Sequence, residues 1–95
     1  MPSLFEWDED KAESNWRKHR IAFDEAQTVF LDDLSITVRD ARHSGAEVRF
    51  RIVGISNLKR LVVVSFAERG ERIRLISARK ASRSEIREYE EKDFD

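Results

Sequence analysis

The stretch from Leu61 to Ala81 constrains this chain more than any other. Two strand-like runs flank Glu68-Arg69-Gly70-Glu71, and Gly70 supplies the backbone freedom that a tight turn requires. The first run, Leu61 to Phe66, is apolar at nearly every position and rich in β-branched Val. Such a run suits a strand buried on both faces, hence a central one. In the second run Ile73 and Leu75 share one side, while Arg72 and Arg74 share the other, followed by Ile76 and Ala78. A central strand thus pairs with a strand that carries arginines on one face. Guanidinium forks match the oxygens of a phosphate.

Upstream of the hairpin, Leu4 to Trp7 reads as a short strand or an extended lead-in. Asp8 then suits an N-cap, with Glu9 and Asp10 favourable in the first turn of a helix that runs to about His19. Ala12, Trp16 and His19 fall on one face of it. After the link Arg20-Ile21-Ala22, Asp24 caps a second, shorter helix with Ala26, Val29 and Phe30 as its apolar stripe. Leu34 to Val38 alternates like a half-buried strand, and Asp40 to Ala46 is a loop. Glu47 to Gly54 points Val48, Phe50 and Ile52 inward and Arg49 and Arg51 outward. The turn from Ser56 to Arg60 contains Asn57, which tolerates turn geometry. Ser82-Arg83-Ser84-Glu85 is a capping box, opening a last helix with Ile86 and Tyr89 on its inner face. Glu90 to Asp95 is expected to fray. Short links between strands imply an antiparallel meander. The prediction is a single α+β domain over residues 1–95. Its antiparallel sheet of about four strands is packed on one face by two N-terminal helices and one C-terminal helix.

The chain has 95 residues and no cysteine, which excludes a disulfide framework and a thiolate metal site. No run reaches the apolar length of a membrane span, and the acidic start does not resemble a secretory signal. A soluble, cytoplasmic protein with no membrane partner is expected. The net charge of −1 conceals an uneven distribution: residues 69–87 hold seven bases against two acids. That zone reads as a polyanion site or as an ion-paired surface. There is no phosphate-cradling glycine loop, no nucleophile elbow and no pair of histidines at metal-binding spacing, so no cofactor and no metal are expected. His43, beside Ser44-Gly45, reads as a solvated loop residue, and Ser77 as structural. His19 is either a proton-transfer group or a ring that ends its helix against Trp16. Arg69, Arg72, Arg74 and Arg79 either pair with acids such as Glu71 and Glu85 or hold a phosphodiester. Glu68 is a base, an orienter of an arginine, or a turn residue.

Taken together, these residues resemble the BrnT toxin family. The likeness starts at Phe5-Glu6-Trp7-Asp8 and continues through Lys11, Asn15, Lys18-His19 and Phe23-Asp24-Glu25-Ala26. It resumes at Arg49-Phe50, Gly54, Val62-Val63-Val64 and Glu68-Arg69-Gly70. It is sharpest from Arg72 to Ala81, followed by Glu85 and Tyr89. The sequence departs from the family pattern at Arg20, where Gly is common, at Leu34, where Pro is common, and at Phe66-Ala67, where His or Tyr followed by Thr is frequent. The resemblance implies a RelE-like, metal-independent endoribonuclease, the toxin of a type II toxin–antitoxin module that inhibits translation and growth. Its partners would be an RNA substrate and a BrnA-like DNA-binding antitoxin, with which it forms a hetero-oligomer and through which alone it reaches DNA. The matching positions make Lys18, His19, Glu68, Arg69 and Arg79 the candidate catalytic residues, and Arg72, Arg74 and Lys80 candidate substrate-binding ones. The alternative is a non-catalytic nucleic-acid- or protein-binding module that uses the basic hairpin surface.

Overall fold

The computed structural model describes residues 4–92. Leu61–Arg69 and Arg72–Lys80 form the expected hairpin, with Gly70 at a φ of 60° in its two-residue turn. A glycine there is what a tight hairpin turn needs. Numbered along the chain, the strands are β1 (Phe5–Glu6), β2 (Ile36–Arg39), β3 (Arg49–Ile55), β4 (Leu61–Arg69) and β5 (Arg72–Lys80). They form one five-stranded sheet in the order β1-β5-β4-β3-β2. Strand β4 is central, as its unbroken apolar run requires. The expectation of about four antiparallel strands is corrected in two ways. The N-terminal segment does form a short strand, and it pairs parallel to β5, Phe5 opposite Ile73, so the sheet is mixed.

One face of the sheet carries the core. Val62, Val64 and Phe66 of β4, Ile52 of β3, and Leu75 and Ala78 of β5 pack there against Ile21, Phe23, Ala26 and Val29. Helix α1 (Glu9–His19) starts as the sequence indicates: the Asp8 carboxylate accepts from the Asp10 N–H at 2.8 Å and the Lys11 N–H at 3.3 Å. Its inner face differs from the one expected. Trp16 is 47% exposed and His19 is exposed, whereas Asn15 is buried. The cause is the edge of β5. Beyond the two residues of β1 that edge has no strand beside it among the described residues, and a buried amide and carbonyl there need partners. Asn15 Nδ2 donates to the carbonyls of Ala78 and Ile21, each at 2.9 Å, and its Oδ1 accepts from the Ala78 N–H at 2.9 Å.

The second helix is shorter and tighter than expected. Helix α2 (Phe23–Ala26) is a single turn that continues as a 3-10 helix over Gln27–Leu31. Asp24 is an exposed residue inside the first turn; Ala22 holds the N-cap position without a side-chain bond. The Thr28 hydroxyl donates to the Glu25 carbonyl at 2.6 Å, competing for an acceptor that α-helical pairing uses. Gly54 of β3 lies beneath this segment. A Cβ there would meet Val29 Cγ1 at 3.0 Å, Asp32 Oδ2 at 3.1 Å and Ser35 Cβ at 3.1 Å. Gly54→Ala is therefore expected to cost about 1–3 kcal/mol, read as a lower denaturant midpoint at unchanged slope.

Helix α3 (Arg83–Lys92) opens with the capping box: Glu85 N–H to Ser82 Oγ at 3.3 Å, and Ser82 N–H to Glu85 Oε1 at 2.7 Å. It does not join the other helices on their face. It lies over the opposite face of the sheet, where Ser84, Glu85 and Glu88 border a hollow with Ile36, Arg51 and Val53. Tyr89 is buried and its hydroxyl donates to Asp32 Oδ2 at 2.6 Å, while Ile86 is 36% exposed. The helix reaches Lys92; the rest of the segment expected to fray, residues 93–95, lies outside the described residues. No described helix is long and apolar enough to cross a membrane.

Candidate functional site

The pairing of β3, β4 and β5 sets which side chains meet on the open face. Arg49 stands opposite Ala67, and Ala67 opposite Arg74. Arg51 stands opposite Ser65, and Ser65 opposite Ser77; Val53 opposite Val63, and Val63 opposite Arg79. Ala67 thus lies between two arginines, and Ser65 and Val63 each lie beside one, which leaves a hollow with a cationic rim. The placement of Arg79 depends on an irregularity. Ser65 pairs with Ser77 but Phe66 pairs with Leu75, so Ile76 is an extra residue in β5. Such a bulge reverses the alternation beyond it. Ala78, expected on the arginine side, is instead fully buried on the helix side, and Arg79 joins Arg74 on the open face.

The resulting cleft has a volume of about 240 Å³. Arg49, Arg51 and Arg79 line it with Ser65 and Ser77, and Asp40 and His43 close one side. His43 is not a free loop residue. It ends a 3-10 turn, Ala41–His43, that is tied to β3: the Asp40 N–H donates to the Arg49 carbonyl at 2.8 Å. Ser44 Oγ donates to the Asp40 carbonyl at 2.7 Å and accepts from the Arg49 N–H at 2.9 Å. The anchored turn places His43 Nδ1 2.9 Å from Asp40 Oδ2. Burial is the largest single influence on the Asp40 carboxyl and raises its pKa. The His43 bonds and charge and the Arg51 charge together outweigh it and hold the carboxyl below its ordinary value. An ionised Asp40 accepts from Nδ1–H, so Nε2 is the nitrogen left to face a ligand.

Arg51 is suspended between two acids. Its Nε is 3.9 Å from Asp40 Oδ2 and its Nη1 is 3.9 Å from Glu85 Oε2, and the buried Nε has no hydrogen-bond partner among the described residues. A buried donor without an acceptor is costly and marks where an anion would be welcome. Arg79 is held firmly instead. Its Nη1 and Nη2 donate to the two oxygens of Glu85 at 2.8 and 3.0 Å. That bond is the main reason the Glu85 carboxyl is pulled down to about 2, against the opposing effect of burial and with help from Ser82.

Of the residues singled out in the sequence, only Arg79 lines this cleft. Arg69, Arg72 and Arg74 continue the open face toward the hairpin turn, where Arg69 pairs with Glu47 at 3.2 Å and Arg74 with Glu6 at 2.9 Å. Glu68 lies on the helix side, opposite Ile73, and borders a separate hollow with Arg39, Val48 and Phe50. Lys80, opposite Val62, is exposed toward the helix side. Lys18 and His19 are exposed at the end of α1. The next residue, Arg20, accepts from Arg60 Nη2 at 3.2 Å, which places that end beside the start of β4. The nine residues of β4 separate it from Arg69, roughly 25 Å at a strand's rise. The candidates do not converge in one hollow. Sequence reasoning left Asp40, Arg49 and Arg51 out of the site and set His43 aside as a solvated loop residue. The available signal was an acid three residues before a histidine, followed by two same-face arginines.

No curated protein matches the sequence. Among solved structures, the 1.1 Å crystal structure of the Brucella abortus ribonuclease toxin BrnT is similar to this chain. Its TM-score is 0.62 at 25% identity, over 81% of this chain and 94% of that one. Residues 7–85 match the model of a family described as the ribonuclease toxin BrnT of type II toxin–antitoxin systems. The match begins just after β1 and takes in α1, α2, the whole of β2–β5 and the cleft upon them. The chain belongs to the BrnT family of ribonuclease toxins.

Proposed function

We propose that the cleft beneath His43 is the phosphodiester site of a RelE-like endoribonuclease that works without a metal. The observation that carries this reading is His43 seated on a buried carboxylate in a hollow rimmed by Arg49, Arg51 and Arg79. Cleavage of RNA by its own 2′-hydroxyl needs a proton acceptor at that oxygen and cations around the phosphorus as its oxygens gain charge. Nε2 of His43 takes the 2′ proton as the 2′ oxygen bonds to phosphorus, the P–O5′ bond breaks, and water gives the departing 5′ oxygen its proton; Asp40 fixes the tautomer and steadies the imidazolium. The guanidiniums supply the positive charge that a divalent ion would otherwise bring. Arg69, Arg72 and Arg74, on the same face, follow the RNA backbone away from the cleft.

The wider setting is a cytoplasmic toxin that halts translation and growth. A BrnA-like, DNA-binding antitoxin covers it in a hetero-oligomer. Arg51→Ala is expected to lower cleavage of single-stranded RNA about a hundredfold, while wild-type cleavage persists in EDTA. Loss of activity in EDTA with recovery on adding a divalent ion would overturn the metal-free scheme. RNA bound in a salt-sensitive way yet left intact would turn the site into a binding surface without chemistry.

A further inference from the structure

Glu85 occupies two roles at once. As the third residue of α3 it closes the capping box through the Ser82 N–H at 2.7 Å. Through the same carboxylate it receives both terminal nitrogens of Arg79. Its side chain is only 14% exposed. Arg79 lines the cleft, whereas Glu85 borders the neighbouring hollow beneath α3. The carboxylate therefore grips the guanidinium from behind, relative to the cleft. An arginine presents two edges to an anion, the pair of terminal nitrogens and the side formed by Nε with one of them. Glu85 takes the first, and Nε makes no hydrogen bond among the described residues.

Resting on the reading of the cleft as the RNA site, we propose that Glu85 is a positioning residue. It sets the plane of Arg79 so that its Nε edge meets a scissile phosphate. Misplacement by an ångström at a reacting centre typically costs about a hundredfold in rate. Glu85→Gln keeps the size and the cap acceptor but removes the charge that holds Arg79. It is expected to lower kcat for RNA cleavage about tenfold to a hundredfold. Glu85→Asp keeps the charge but shortens the reach, and should fall between the two. In an Arg79→Ala background the Glu85→Gln change should add little further, because the carboxylate's short bonds are to that arginine and its approach to Arg51 is only 3.9 Å. Ser82→Ala weakens the same helix start without touching Arg79, and should melt earlier yet cleave at the wild-type rate.

The comparison separates the two failures. If Arg79→Ala cleaves normally, the assignment of Arg79 to the RNA site falls. If Arg79→Ala is impaired but Glu85→Gln cleaves normally, Glu85 is a helix cap and nothing more. Faster cleavage by Glu85→Gln would mean that the carboxylate competes with the phosphate. An equal further loss in the Arg79→Ala background would mean that it acts elsewhere. Either result overturns the positioning role.

Discussion

Replacing His43 with alanine is expected to lower RNA cleavage by about a hundred- to ten-thousand-fold, the usual worth of a positioned proton-transfer group. The loss should come without unfolding. The His43 side chain is 69% exposed and its one hydrogen bond among the described residues is to Asp40, so truncation opens no hole in the core. Asp40→Asn is a sharper companion. An amide at that position keeps the size but can donate to Nδ1, which puts the ring proton on Nε2 and removes the acceptor. The informative measurement is single-turnover cleavage of a single-stranded RNA, alongside thermal melts that show both variants folded. A His43→Ala protein that cleaves at the wild-type rate, beside a His19→Ala protein that does not, would move the chemistry to the end of α1.

Asn15→Ala is expected to be the most damaging single change to stability. Its amide makes three hydrogen bonds in a buried setting, two to Ala78 and one to Ile21. Truncation leaves an N–H and two carbonyls without partners, at about 1–3 kcal/mol for each group that water cannot reach. A total of roughly 3–5 kcal/mol is a large part of the 5–15 kcal/mol that holds a typical domain together. Chemical denaturation should show it as a sharply lower midpoint. Asn15→Asp should fare little better, since a carboxylate can accept from the Ala78 N–H but faces two carbonyls where a donor is required. A midpoint within experimental error of wild type would mean that α1 contributes little to closing that edge.

Much of the architecture was legible because it depends on short-range patterns. The apolar run of β4, the glycine of the hairpin turn, the Asp8 cap and the Ser82–Glu85 box all act over a few residues, and each appears where the spacing placed it. What could not be read depends on partners distant in sequence. Asn15 looks like an ordinary polar residue until the bare edge of β5, 63 residues away, is beside it. His43 looks like a loop residue until Ser44 and Asp40 anchor its turn to β3. Arg20 is an intermediate case. It ends α1 at a φ of 57°, a left-handed geometry that favours glycine, and its guanidinium lies 5.6 Å from the centre of the Trp16 ring. The departure from glycine at that position thus brings a contact that glycine could not make.

The supernumerary Ile76 gives the second half of β5 a phase of its own. Pairing Ile76 with Ser65 in a regular ladder would leave the composition and charge of the strand untouched. Every residue after it would slip one place along β4 and exchange sides: Ala78, then opposite Val63, would turn to the open face, and Arg79, then opposite Val62, would be driven among Val62, Val64 and Ile21. A frame error of this kind costs both the core and the proposed RNA-facing surface at once, so the irregularity at Ile76 is under a stricter constraint than the identity of most side chains on this strand.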